Sequence, residues 1–235
     1  MATSARTPGR ARTKTRAKTP SRRRSAESAA SRTSAEPAPR KRLPPEERYA
    51  QLLATALEVF ARRGFGRAGH AEIAAAAAVA VSTVFVYFPT REALVRAVLA
   101  EVGRYYLDVA LRVHDQPKPC REVLLEHRIA FQGSVETHPY HARIALDWST
   151  AIREDLWPLY IEFIDRLVEN HVRTIERGQR EGDVAAWVDA DTSARMLIGS
   201  AQMTAQLRLS GTGDEQIARI SELLIDAALG HLSRA

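Results

Sequence analysis

The sequence predicts an all-α fold, on three observations. Apolar residues recur with a helical period, helix-start and helix-stop residues stand where those stripes begin and end, and no segment sustains the period-2 alternation of a half-buried strand. A chain of 235 residues is long enough to bury a proper core as one large domain or two small ones.

The first helix is read from "LPPEERYAQLLATALEVFARRGFG". Pro44 and Pro45 set a helical φ, and Glu46 and Glu47 lie near the positive end of the helix dipole. Tyr49, Leu53, Ala56, Leu57 and Phe60 fall on one stripe. Arg62 and Arg63 occupy the last turn, Gly64 can take a left-handed cap, and Phe65 supplies the apolar contact that often follows. The next segment, from His70 to Ala78, is alanine-rich and helical, with Ile73 and Ala77 on one face. Thr90 is an N-cap for "REALVRAVLAEVGRYYLDVALRV", which has Glu92 in its first turn.

Between these helices stands "VAVSTVFVYF", residues 79–88, whose β-branched and aromatic residues suit a strand. A strand there would have no partner, and its backbone groups would go unsatisfied. Read as a helix from about Val81 to Phe88, the stretch divides cleanly. Val84 and Phe88, with Phe85 and Val81 beside them, form an apolar side. Ser82, Thr83, Val86 and Tyr87 form a continuous opposite face. Two short helices joined by a tight turn, the second presenting such a face, make a helix-turn-helix whose recognition helix enters the major groove of DNA.

Charge is divided unevenly. Residues 1–43 hold thirteen Lys/Arg against two acids, while the remainder holds 21 against 26. The excess positive charge therefore lies in a tail rich in Ala, Ser, Thr, Pro and Arg, expected to be disordered. A basic arm suits a polyanion, nucleic acid or an anionic membrane surface; a merely solubilising extension is the plainer alternative. With one cysteine, Cys120, no internal disulfide is possible. No apolar run approaches the roughly 18 residues of a membrane span, and the N-terminus lacks a secretory signal's apolar segment. A cytoplasmic location is expected.

The residues from Arg48 to about Leu99 resemble the DNA-binding domain of TetR-type transcriptional regulators. "EIA", a turn, a recognition helix ending in "YF", and "PTREAL" follow in that order. Three stretches, "RGFGRAGHAEIA" (63–74), "VAVSTVFVYFPTREALV" (79–95) and "DWSTAIREDLWPLY" (147–160), are similar to the LuxR/HapR-type quorum-sensing master regulators within that superfamily. The resemblance implies an all-helical homodimer of about nine helices per chain. Residues 1–43 would be the basic arm, 44–92 the three-helix DNA-binding domain, and 93–235 a ligand-sensing and dimerisation domain. Punctuation agrees: Pro117 and Pro119 mark a loop, Pro139 and Pro158 helix starts, Gly178 and Gly182 a helix end, and "SGTG" (210–213) the gap between two final helices. Met196, Leu197, Ser200, Met203, Thr204 and Leu207 line one of these, and Ile217, Ile220, Leu224 and Ala227 the other. A four-helix bundle shared by two subunits would use them, with an intramolecular core as the alternative.

On DNA, Thr83 and Tyr87 can donate to phosphates, and His70 and Arg91 match backbone-contacting positions of the family. Ser82 can bond base edges and Val86 can meet a thymine methyl. Residues 44–103 hold six arginines and six acids, which puts weight on "RKRL" (40–43). There Arg40 and Arg42 align with the subgroup's minor-groove arginines; a tail that only raises nonspecific affinity is the alternative. This chain departs from the subgroup in carrying Val86 for its usual asparagine, and Ala78 and Ala80 for its turn glutamine and N-cap serine.

Ile144, Trp148, Ile152, Trp157, Tyr160 and Phe163 supply enough apolar surface to line a ligand pocket, or simply to fill a core. Ala145 and Ile164 replace a tryptophan and an asparagine of the subgroup's pockets, so no ligand carries over and no cofactor is expected. Cys120, His127, His138 and His141 match no common zinc spacing and read as ordinary surface, so no metal site is expected. Gly64 and Gly66 are a cap and a turn, not a phosphate loop. No nucleophile stands beside a base at motif spacing, so no enzyme is expected. The reading is a dimeric regulator that binds a roughly palindromic operator. The alternatives are a sensor-repressor for a small apolar compound and a nonspecific architectural DNA-binding protein.

Overall fold

The computed structural model describes residues 43–151 and 155–231. Its described residues form nine α-helices and no strand: α1 (Pro45–Arg63), α2 (His70–Ala76), α3 (Val81–Tyr87), α4 (Arg91–His114), α5 (Cys120–Thr137), α6 (Pro139–Thr150), α7 (Trp157–Glu181), α8 (Ala190–Leu209) and α9 (Asp214–Ala228). Among these residues no single helix is long and apolar enough to cross a membrane. Arg40, Arg42 and Ile152 lie outside the described residues.

Helix α1 starts at the paired prolines and stops at Gly64. That glycine is not the left-handed cap expected: its φ of 71° and ψ of 171° fall in an extended positive-φ region open essentially to glycine alone. Its N–H still bonds the Phe60 carbonyl at 2.8 Å, and the Phe65 ring packs on Phe60 at 5.8 Å. Helix α4 is capped as anticipated, the Thr90 hydroxyl accepting from the Ala93 N–H at 3.1 Å.

The strand-like stretch is helical. Helix α3 has no side-chain cap, Ala80 standing at its N-cap, and the preceding turn carries Ala78 at φ 52°, the one positive-φ non-glycine residue among those described. Packing replaces local preference, because Val84 and Phe88 are buried in one cluster with Leu52, Phe60, Ile73, Leu94 and Val98. Val81 and Phe85, assigned to the apolar side, are instead half exposed, at 42% and 47%.

That cluster does not end at residue 92. It runs through Val102 and Tyr106 of α4 to Ile144 and Trp148 of α6 and Phe163 and Leu167 of α7. A second cluster joins Cys120 and Leu124 to Val168, Ile175, Val184, Leu197, Ile225 and Leu229. Gly182 ends α7 in the left-handed conformation, φ 85° and ψ 10°. Gly178 is not an end marker but lies inside α7, where a Cβ would sit 2.6 Å from Val184 Cγ2 and 2.7 Å from Cys120 Cβ. It lets the start of α5 approach.

Candidate nucleic-acid interface

Helices α2 and α3 turn through 113°, within the range of a helix-turn-helix. On α3, Ser82 and Val86 are exposed and Thr83 and Tyr87 are partly so; Val86 is 75% exposed. The structure thus brings the four expected residues onto one accessible face. Tyr87 lies beside Tyr49 of α1, ring centroids 6.5 Å apart, which steadies the ring at the edge of that face.

Of the two positions taken from family likeness alone, His70 turns inward and Arg91 stays at the surface. His70 is buried at 8% exposure; its Nε2 donates to the Phe88 carbonyl at 2.7 Å, and its ring stacks on Phe85 at 4.0 Å and 7°. It ties the first residue of α2 to the end of α3, so it positions α3. The correction has a physical basis: the carbonyl at the α3 C-terminus lacks a helical partner, and the imidazole supplies one. Arg91 bonds the Phe65 carbonyl in the loop after α1, again holding the domain together, although its side chain stays at the surface.

Behind this domain lies a cavity of about 100 Å³ between α4, α5, α6, α7, α8 and α9. Of the residues expected to line it, Tyr160 and Phe163 do. Ile144 and Trp148 do not: both are buried in the core. Trp148 stacks on Phe163 at 5.3 Å and 13°, and its indole N–H donates to the Leu156 carbonyl at 3.2 Å. Trp157 stacks on Tyr160 at 5.3 Å without reaching the cavity wall. The polar wall was not anticipated. Gln202 donates to Ser149 Oγ at 2.5 Å and accepts from the Tyr160 hydroxyl at 3.4 Å. Arg128 donates to Gln132 Oε1 at 2.9 Å, while buried Arg128 Nε and Gln132 Nε2 have no hydrogen-bond partner. Burial pushes the Arg128 guanidinium below its ordinary range. His127 and His171 also line the cavity.

Cys120 and His127 are buried, not surface residues. Burial pushes the Cys120 thiol up to about 12, so it acts as a packing residue. His138 and His141 sit elsewhere, around Tyr105. On α8 and α9 the expected stripe splits. Met196, Met203 and Leu223 are exposed, Ser200, Leu207, Ile220 and Leu224 are partly so, and Leu197 and Ile217 belong to the chain's own interior. Leu223, 58% exposed, was missed because it falls one residue off the stripe read from the sequence.

A family model described as "Bacterial regulatory proteins, tetR family" matches residues 52–98. The HTH-type transcriptional regulator LuxR of Vibrio harveyi is 41% identical over 145 residues, 60% of this chain and 71% of that protein. GusR of Salmonella enterica superposes with a TM-score of 0.68 at 18% identity, over 81% of this chain and all of that one. A TetR-like regulator from Rhodococcus sp. RHA1 gives 0.67 at 22% identity, again over 81% and 100%.

Proposed function

This chain belongs to the TetR family of transcriptional regulators, DNA-binding proteins rather than enzymes, and from that premise we propose that it binds a palindromic operator as a homodimer. The observation that carries this is the exposed face of α3, with Val86 projecting between polar neighbours. Ser82 and Val86 read base edges, the valine meeting a thymine methyl, and Thr83 and Tyr87 donate to phosphates on either side. His70 and Arg91 hold the reading head in position. Arg40 and Arg42 add minor-groove contacts from the arm. Residues 44–92 form the DNA-binding part and 93–235 the sensing and pairing part, sharing one continuous core.

Pairing uses the outer faces of α8 and α9, where Met196, Met203 and Leu223 are exposed beside Gly199, whose missing side chain permits close helix approach. A dimer of this kind presents two recognition helices to half-sites about one DNA turn apart, roughly 34–36 Å. Selection from a random DNA library tests the whole reading. Enrichment of an inverted repeat, bound by the full chain and more weakly, with a shallower salt slope, by a chain lacking residues 1–43, is expected. Recovery of no common sequence would leave the architectural alternative.

A second reading, ligand-controlled release, is favoured by the cavity. Its walls include Tyr106, Phe163 and Leu167, which also belong to the cluster that holds α1 to α4, so an occupant that moves them acts on the DNA-binding helices. The unpartnered donors of Arg128 and Gln132 suit a small, largely apolar compound bearing an acidic oxygen. A role in quorum sensing rests on the resemblance to the LuxR/HapR-type regulators, and it requires operator occupancy in cells to change with culture density.

A further inference from the structure

Three histidines far apart in sequence meet inside the chain. His114 ends α4, His127 lies in α5 and His171 in α7, and all three are buried. One ring nitrogen from each converges. His114 Nε2 lies 3.0 Å from His127 Nδ1, His127 Nδ1 lies 3.3 Å from His171 Nε2, and the ligand atoms all fall within 4.8 Å of one another.

The outer ring nitrogens are fixed by other partners. His171 Nδ1 lies 3.0 Å from the Leu167 carbonyl, which can only accept, so the proton is on Nδ1 and Nε2 carries a lone pair. His114 Nδ1 lies 2.7 Å from Thr174 Oγ1; with its proton given to that hydroxyl, its Nε2 also carries a lone pair. Both lone pairs aim at His127 Nδ1. Such outer hydrogen bonds are what orient histidines around a metal ion. Burial also keeps the rings neutral, holding His171 down at about 4 and His127 down at about 3, and neutral imidazole is the form that ligates metals.

A tetrahedral Zn²⁺ with bonds of about 2.0–2.1 Å places its nitrogen ligands about 3.3–3.4 Å apart. The His127–His171 separation of 3.3 Å already has that value; the His114–His127 separation of 3.0 Å widens slightly and the third, within 4.8 Å, closes as the rings turn onto the ion. We propose that His114, His127 and His171 hold a divalent transition-metal ion of the zinc class, with its fourth position open to the cavity. Three neutral imidazoles with no thiolate or carboxylate suit Zn²⁺ or Co²⁺ and exclude Ca²⁺ and Mg²⁺ as natural occupants. No ligand need lose a net proton, because the His127 proton passes from Nδ1 to Nε2 when the ion takes its place. His127 and His171 line the cavity, which supplies both the access path and the room for a fourth donor. Sequence spacing could not show this site, since the ligands come from three helices.

The test is cobalt titration of the full chain after dialysis against a chelator, followed by visible absorption. One equivalent of Co²⁺ is expected to give the intense d–d bands of a tetrahedral site, shifting when azide is added. His127→Gln and His171→Gln should weaken binding by at least about a hundred-fold, while a His138→Gln/His141→Gln control leaves it unchanged. Weak octahedral bands, binding that survives both substitutions, or loss in the control would overturn the site; bands insensitive to azide would overturn its open position. Because a substituted chain can fail to fold, the unsubstituted protein is also followed by ¹⁵N resonances of its histidine rings during zinc addition. Three unprotonated ring nitrogens moving together at one equivalent support the site, and none moving refutes it.

Discussion

The recognition helix and the inner end of the cavity break the same rule in opposite directions. Helix α3 leaves Val86 three-quarters exposed, at 75%, whereas the cavity end buries His114, His127 and His171 together. Scattered exposed apolar residues are common on soluble proteins, but clustered buried polar groups are informative and require partners. In α3 the exposed valine is affordable because the opposite side, Val84 and Phe88, carries the packing. In the cavity the histidines are sustained by one another and by Thr174 and Leu167. Each region therefore has a supporting part and a presented part, and substitutions separate them.

The largest effect is expected at the support of α3. Phe88→Ala removes a ring only 2% exposed and should destabilise the chain by about 3–5 kcal/mol, read as a lowered denaturant midpoint together with lost DNA binding. If stability held, α3 would not depend on packing, and its poor local helix preference would need another explanation.

Gly178→Ala perturbs the other region. The new Cβ, 2.6–2.7 Å from Val184 and Cys120, should cost about 1–3 kcal/mol through overpacking. Operator affinity of the folded fraction should stay unchanged, because Cys120 and Val184 belong to the second cluster and α3 to the first; a change in it would mean that the two clusters are coupled.

His70→Ala is expected to cost roughly 1–3 kcal/mol, because the Phe88 carbonyl loses its donor. Calorimetric unfolding beside anisotropy separates two roles: an affinity loss with unchanged stability would make His70 a DNA contact, against the buried geometry described above.

Val86→Ala should leave unfolding within about 0.5 kcal/mol of the parent. Its effect belongs to recognition, a loss of about 1 kcal/mol of preference for one thymine in each half-site, measured by competition among single-base operator variants. A uniform loss across all variants would place Val86 outside the base contacts.

Helices α1 and α4 were legible because their signals are local: proline and acids at one end, Thr90 as a cap, and apolar residues three and four apart. The face of α3 was legible once a strand was excluded by its lack of a partner. The backbone bonds of buried His70 and surface Arg91 were not, because they depend on where the carbonyls of Phe88 and Phe65 end up, and both come from other elements. The pocket was legible only in part, at Tyr160 and Phe163. Helical spacing pairs Ile144 with Trp148 on α6 and Tyr160 with Phe163 on α7, but only the packing of α6 on α7 decides that the indole fills the core and leaves the space beside Arg128 and His127.

What the sequence by itself determined is therefore the set of helices, most of their ends and the residues offered on α3, all properties of spacings within one helix. What the tertiary structure alone decided is which polar groups meet: His70 with Phe88, and His114 with His127 and His171. These partners stand 13 to 60 residues apart, counting Thr174 beside His114. A periodic pattern fixes the direction of a side chain about its own helix, but the neighbour across the gap is set by how several helices pack at once.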